Sequence, residues 1–174
     1  ERLNEIHQMD DEEPAGKEWN HTLPENKSIS LNALTFRYPG AGNEPVLENI
    51  DLNIPQGKTT AIVGMSGSGK TTILKLLLRF YLPEKGEIKV GEQSLNNIGF
   101  KAWRGQCGVV MQDGFIFSDS IERNIAVGDD YPDKVKLRHA IKVANIQDFI
   151  DGLPLGLNTR IGAEGNGISQ GQRQ

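Results

Sequence analysis

The chain has 174 residues, 19 Lys and Arg against 23 Asp and Glu, a formal net charge of −4 and a single cysteine. That length can bury a real core, while one thiol excludes an intrachain disulfide scaffold and the longest apolar runs, such as Leu76-Leu77-Leu78, are far too short to span a bilayer. The overall acidity excludes a bulk polyanion binder, so any phosphate chemistry must come from a local site.

The charge is unevenly spread. Residues 1–28 hold eight acids and three bases, and the rest of the chain is almost neutral. Glu1 to Leu23 is polar and does not read as a secretory signal. With Pro14, Gly16 and Pro24, this leader reads as a solvated linker or weakly docked arm, with an acidic docking segment as the rival. Two sequons, Asn20-His21-Thr22 and Asn26-Lys27-Ser28, are read as chance matches.

From Ser28 the pattern turns β-like. Ile29, Leu31 and Ala33, then Leu34, Phe36 and Tyr38, stand on alternating positions before Pro39-Gly40. Val46–Ile54 alternates loosely and stops at Pro55-Gln56-Gly57. Thr59–Val63 predicts a strand running into a glycine-rich loop, and Lys70–Leu82 predicts a helix with one buried face (Ile73, Leu74, Leu77, Leu78) ended by Pro83. Gly86–Gly91 reads as a short strand, and Val109–Met111 as a central one because it is apolar on both faces. Asp133–Ile150 predicts one helix whose stripe includes Leu137, Ile141, Val143, Ala144, Ile146 and Ile150, with His139 on its solvated side. Cys107 reads as a small buried thiol. The strand–helix alternation predicts an α/β domain with a helical appendage after Gln112.

Gly64-Met65-Ser66-Gly67-Ser68-Gly69-Lys70-Thr71 fits the P-loop pattern between a predicted strand and a predicted helix. Glycines let the backbone curl so that successive N–H groups face phosphate oxygens, and the helix start adds partial positive charge. Lys70 supplies a compact cation to the β- and γ-phosphates, and the Thr71 hydroxyl can ligate Mg²⁺. This predicts a nucleoside triphosphate site but not its use, since kinases, GTPases and motors share the loop.

Residues 29–174 resemble the ATPase subunit of an ATP-binding-cassette (ABC) transporter. Phe36-Arg37-Tyr38-Pro39 lies where that family has its aromatic A-loop, which implies Tyr38 stacked on adenine. Val110-Met111-Gln112-Asp113 resembles the Q-loop, implying Gln112 as a catalytic and Mg²⁺-sensing residue beside the metal ligand Thr71. Phe115 to Ile125 is similar to the segment by which exporters of the family meet their transmembrane partner. Ile168-Ser169-Gln170-Gly171-Gln172 stands where the LSGGQ signature would be, with Ile168 for Leu and Gln170 for Gly. Thr159–Gly165 resembles the exporter loop before it, and with Gln172-Arg173-Gln174 the chain looks most like bacterial peptide and bacteriocin exporters.

The resemblance implies a P-loop core with an antiparallel β subdomain and a helical subdomain. It implies ATP held by Tyr38, Gly64, Ser66, Gly67, Ser68, Gly69, Lys70, Thr71 and Thr72, and capped in trans by Ser169, Gly171 and Gln172 of a second nucleotide-binding domain in a head-to-tail dimer. The domains expected are an acidic linker (1–28) after transmembrane helices, an ATP-binding core (29–112) and a helical subdomain (113–174). The expected place is the cytoplasmic face of the inner membrane, with transmembrane domains of the same transporter as partners and no nucleic acid. The Walker B strand with its Asp-Glu pair and the switch histidine do not occur in this sequence, so the chain is expected to be a piece of a longer polypeptide with an incomplete sheet. Alone it is expected to bind ATP·Mg²⁺ weakly and turn it over slowly or not at all. Two alternatives stay open: a soluble, non-transport cassette ATPase, and a non-catalytic nucleotide-binding fragment.

Overall fold

A computed structural model describes residues 11–14, 16–40, 42–111, 114–162 and 167–174. The chain divides after Gly108 into two compact units.

The first unit is built on an antiparallel sheet of four strands in the order β2-β1-β3-β4. They are β1 (Ile29–Phe36), β2 (Leu47–Ile54), β3 (Lys85–Val90) and β4 (Gln93–Ser94). Ile29 faces Ile54 on one side and Val90 on the other, and Leu31 faces Leu52 and Ile88. The two alternating triplets of the sequence are out of phase because an extra residue sits between them. Ala33 takes φ 48°, its N–H donates to Asp51 Oδ1 at 2.8 Å, and the register shifts on both sides of β1. Leu31, Leu34 and Phe36 therefore all reach the core. Gly86 (φ +78°) makes room for this bulge, since a Cβ there would collide with the carbonyl oxygens of Asn32 and Ala33.

Helix α1 (Lys70–Leu77) packs Thr72, Ile73 and Leu76 inward. It stops short of Pro83 because Arg79 turns left-handed (φ 57°), while Arg79 N–H donates to Leu76 O and Phe80 N–H to Lys75 O. Leu74, expected on the buried face, is exposed. A short helix α2 (Phe100–Arg104) follows, with Trp103 buried. Cys107 is half-buried beside it, Sγ 3.4 Å from Trp103 O, and burial pushes its thiol pKa up.

Two expected strands do not form. Neither Thr59–Val63 nor Val109–Met111 pairs with any strand among the described residues, and Val63 and Val110 are 87% and 70% exposed. A fully buried parallel strand needs a hydrogen-bonded neighbour and a cover on each face. Among the described residues neither segment has such a neighbour.

The described part of the leader differs from a solvated tether. Asn20 bridges to Ile98, with Asn20 N–H on Asn97 O (2.8 Å) and Gly99 N–H on Asn20 O (2.9 Å). Glu12 clasps Arg104 with two oxygens, and Trp19 meets Phe100 edge-on at 5.7 Å. Cations and aromatic faces on the core thus give the acidic arm specific partners that composition alone does not reveal.

The second unit pairs β5 (Asp119–Ser120) with β6 (Arg160–Ile161) and adds α3 (Ile121–Ile125), α4 (Lys134–Val143), α5 (Gln147–Asp151) and α6 (Gln170–Arg173). Its core gathers Ile116, Ile121, Leu137, Ile141, Ile150 and Ile161. The helix expected over 133–150 is two helices. Asn145 (φ 56°) ends the first, with Asn145 N–H on Lys142 O and Ile146 N–H on Ile141 O. Ala144 and Val143 lie outside the buried stripe, Val143 being 72% exposed, and His139 is exposed as expected. Among the described residues no helix is long and apolar enough to cross a membrane.

Candidate nucleotide-binding site

The loop before α1 is tightly curled around its glycines. Gly67 (φ +81°) and Gly69 (φ +87°) hold left-handed turns, and a Cβ on Gly69 would press on Leu47 Cδ2 at 2.6 Å. A Cβ on Gly64 would lie 2.6 Å from Ser68 Oγ. The loop residues Gly64 to Ser68 are exposed, so their backbone is open to a ligand. Lys70, the first residue of α1, folds its ammonium back onto the loop and donates to Gly64 O (2.8 Å), Met65 O (2.6 Å) and Ser68 Oγ (3.3 Å). A cation thus sits over the curl, where anionic oxygens would meet it together with the amides of the helix start.

Thr71 and Thr72 divide the work of neighbours. Thr71 is exposed, leaving its hydroxyl accessible beside the loop. Thr72 is buried (5% exposed) with its hydroxyl 3.1 Å from Tyr38 Oη, so the structure turns this expected nucleotide contact toward the aromatic residue. Tyr38 is half-buried and edge-packed on Phe36 (5.1 Å) and Tyr81 (5.2 Å), with Lys75 Nζ 5.3 Å from its ring centroid. Tyr81 and Lys75 are absent from the expected set. Lys75 lies one helical turn after Thr71, a spacing that could have flagged it.

The other expected contacts lie in the second unit or outside the described residues. Gln112 is among the latter, as are positions 163–166 of the exporter-like loop. Ser169 caps α6: its Oγ accepts from Gln172 N–H at 3.2 Å, and Gln172 Oε1 accepts from Ser169 N–H at 2.8 Å. Gly171 has open space where a side chain would stand. In the run 115–125, Phe115 and Phe117 are exposed and meet edge to face at 4.9 Å. Asn124 fixes that turn by accepting from Phe117 N–H (2.7 Å) and donating to Phe117 O and Ser120 O, both at 3.0 Å. No cluster of three or more His, Cys, Asp or Glu occurs among the described residues.

The family described as ABC transporter matches residues 47–174. The chain is 46% identical over 155 residues to the alpha-hemolysin translocation ATP-binding protein HlyB of Proteus vulgaris, covering 88% of this chain and 22% of that protein. It is 41% identical over 175 residues to the leukotoxin translocation ATP-binding protein LktB of Mannheimia haemolytica (99% and 24%). It is 43% identical over 147 residues to the ATP-dependent lipid A-core flippase of Dechloromonas aromatica (84% and 25%). The chain thus spans a quarter or less of the length of these relatives. Among solved structures, a bacterial Atm1-family ABC exporter with ATP bound superposes with a TM-score of 0.85 at 32% identity, covering 99% of this chain and 30% of that one. On the family match, these identities and the shared fold, the chain belongs to the ABC transporter family, as an ATP-binding domain of exporter type.

Proposed function

We propose that this chain is the ATP-binding module that powers peptide export across a membrane in a longer polypeptide. The observation that carries the reading is the glycine loop closed around Lys70 at the start of α1. Lys70 would exchange the carbonyls of Gly64 and Met65 for β- and γ-phosphate oxygens, while the backbone of Gly64, Ser66, Gly67, Ser68 and Gly69 donates around them. Thr71 and Gln112 would hold Mg²⁺, which when bound neutralises charge between the two phosphates. Tyr38, held by Thr72, would offer its ring to adenine. Ser169, Gly171 and Gln172 would cap the nucleotide of a second copy; a hydroxyl that accepts from Gln172 N–H still has its own proton to donate. Peptide cargo is favoured by the relatives named for hemolysin and leukotoxin translocation. The module would work at the cytoplasmic face of the membrane, with Phe115 and Phe117 turned to the transmembrane domains.

A thermal-unfolding titration with ATP·Mg²⁺ tests the binding step. At about a hundred times its dissociation constant, the nucleotide should stabilise the chain by ~2.7 kcal/mol. Lys70→Ala should flatten that response at the same concentration, and a flat response from the unaltered chain would overturn the reading. In the longer protein, a cross-link from Phe117 to a membrane-spanning segment tests the coupling to export.

A further inference from the structure

The end of α1 remote from Lys70 is held in an unusual way. Trp103 Nε1 donates to Leu77 O (2.7 Å), Arg104 Nε to Leu78 O (3.0 Å) and Arg104 Nη2 to Arg79 O (3.1 Å). These carbonyls have no partner within the helix, and cations are favoured at that pole. Arg79 is left-handed and buried, donates to Ile98 O, and lays its guanidinium 3.5 Å from the Phe100 ring centroid. Burial and the neighbouring Arg104 both lower the pKa of Arg79, and Glu12 and Glu13 oppose that shift. Both acids come from the arm. Glu12 takes Arg104 through two hydrogen bonds of 2.7 and 2.9 Å, Glu13 Oε1 accepts from Lys101 N–H at 3.2 Å, and Trp19 stands 5.5 Å from the Arg79 guanidinium.

We propose that the described arm, residues 11–14 and 16–20, is a detachable counter-ion for the nucleotide helix. Glu12 and Trp19 are positioning residues that hold the carboxyl end of α1, and docking of the arm is thermodynamically coupled to triphosphate binding at the amino end. With the arm released, two adjacent guanidinium groups lose their compensating carboxylates and the last turn of α1 loosens. The helix has eight residues, so its two ends are only about 12 Å apart. Loosening at one end therefore moves the loop that Lys70 closes. Linkage makes the effect reciprocal: whatever factor arm release takes from nucleotide affinity, nucleotide must add to arm docking. The inference rests on the reading that the loop binds ATP.

Hydrogen exchange on the whole chain separates the two ideas. The amides of Asn20 and Gly99 report arm docking, and those of Leu78, Arg79 and Phe80 report the helix end. Glu12→Gln and Trp19→Ala lie on the arm and leave the sheet intact, which unchanged exchange in β1 and β3 verifies. Both variants should speed exchange at 78–80 and weaken ATP·Mg²⁺ binding by at least about fivefold. Glu12→Asp should recover part of each loss. In the unaltered chain, ATP·Mg²⁺ should slow exchange at Asn20 and Gly99 by a matching factor. A released arm with unchanged exchange at 78–80, or with ATP affinity within twofold of the original, overturns the proposal. If the unaltered chain binds no ATP, the proposed function fails, and the clamp is then judged on exchange at 78–80 alone.

Discussion

Gly86 and Cys107 are the residues whose substitution or titration has the clearest expected sign. At Gly86, alanine would have to adopt φ +78° and push its Cβ into the backbone of Asn32 and Ala33, where no side-chain motion gives relief. Gly86→Ala should therefore lower stability by at least about 2 kcal/mol, measured by denaturant unfolding. At Cys107, burial favours the neutral thiol, so the folded group titrates above the unfolded one. That contribution is whole below the ordinary thiol range near ~8.5 and is lost as pH climbs through it toward the folded value. The unaltered chain should lose stability relative to Cys107→Ser as pH rises above the ordinary thiol range, and its alkylation at pH 8 should lag a free thiol. At this scale the candidate site is read from residue types: the glycines and Lys70 follow from the demands of phosphate on a backbone. The contact between the Thr72 hydroxyl and Tyr38 was not legible, because the two stand 34 residues apart.

The helices show which endings a pattern can reveal. Apolar spacing placed α1 and α4 correctly at their starts, where a glycine loop and the Asp133 cap announce them. It overran both ends, because Arg79 and Asn145 stop their helices by turning left-handed. Asparagine does this readily, but an arginine in that conformation is retained only by what surrounds it, here the Ile98 carbonyl and the Phe100 ring. The start of α4 offers a direct test. Asp133 Oδ1 accepts from Val135 N–H (2.8 Å) and Lys136 N–H (3.3 Å). Asp133→Ala should cost about 1 kcal/mol and lower the helical circular-dichroism signal on mild heating, whereas Asp133→Asn should retain most of the cap. The bulge in β1 was written in the sequence as a phase slip between Ala33 and Leu34, legible only once Asp51 is seen to take the Ala33 amide.

At the scale of the molecule, each unit assembles its own core; the three long strands and the starts of α1 and α4 were foreseen, whereas the short elements that carry Ile121 and Ile161 were not. An incomplete sheet was expected, but which segments lack a partner was not legible, since hydrophobic pattern says that a segment suits a sheet and not which neighbour is available. Thr59–Val63 and Val109–Met111 have the composition of buried strands, yet neither pairs among the described residues, and Val63, Val109 and Val110 are exposed. A hydrophobic dye should therefore brighten in the presence of the native chain. Val63→Thr combined with Val110→Thr should reduce both that signal and light scattering at high concentration, and an unchanged pair of readings would count against exposure of these segments. Unpaired backbone beside exposed valines is the raw material of intermolecular β-sheet. Solubility during expression would then be set by how long these two segments stay naked, and a short extended peptide offering complementary backbone groups should act as a folding aid even though it touches neither nucleotide nor membrane.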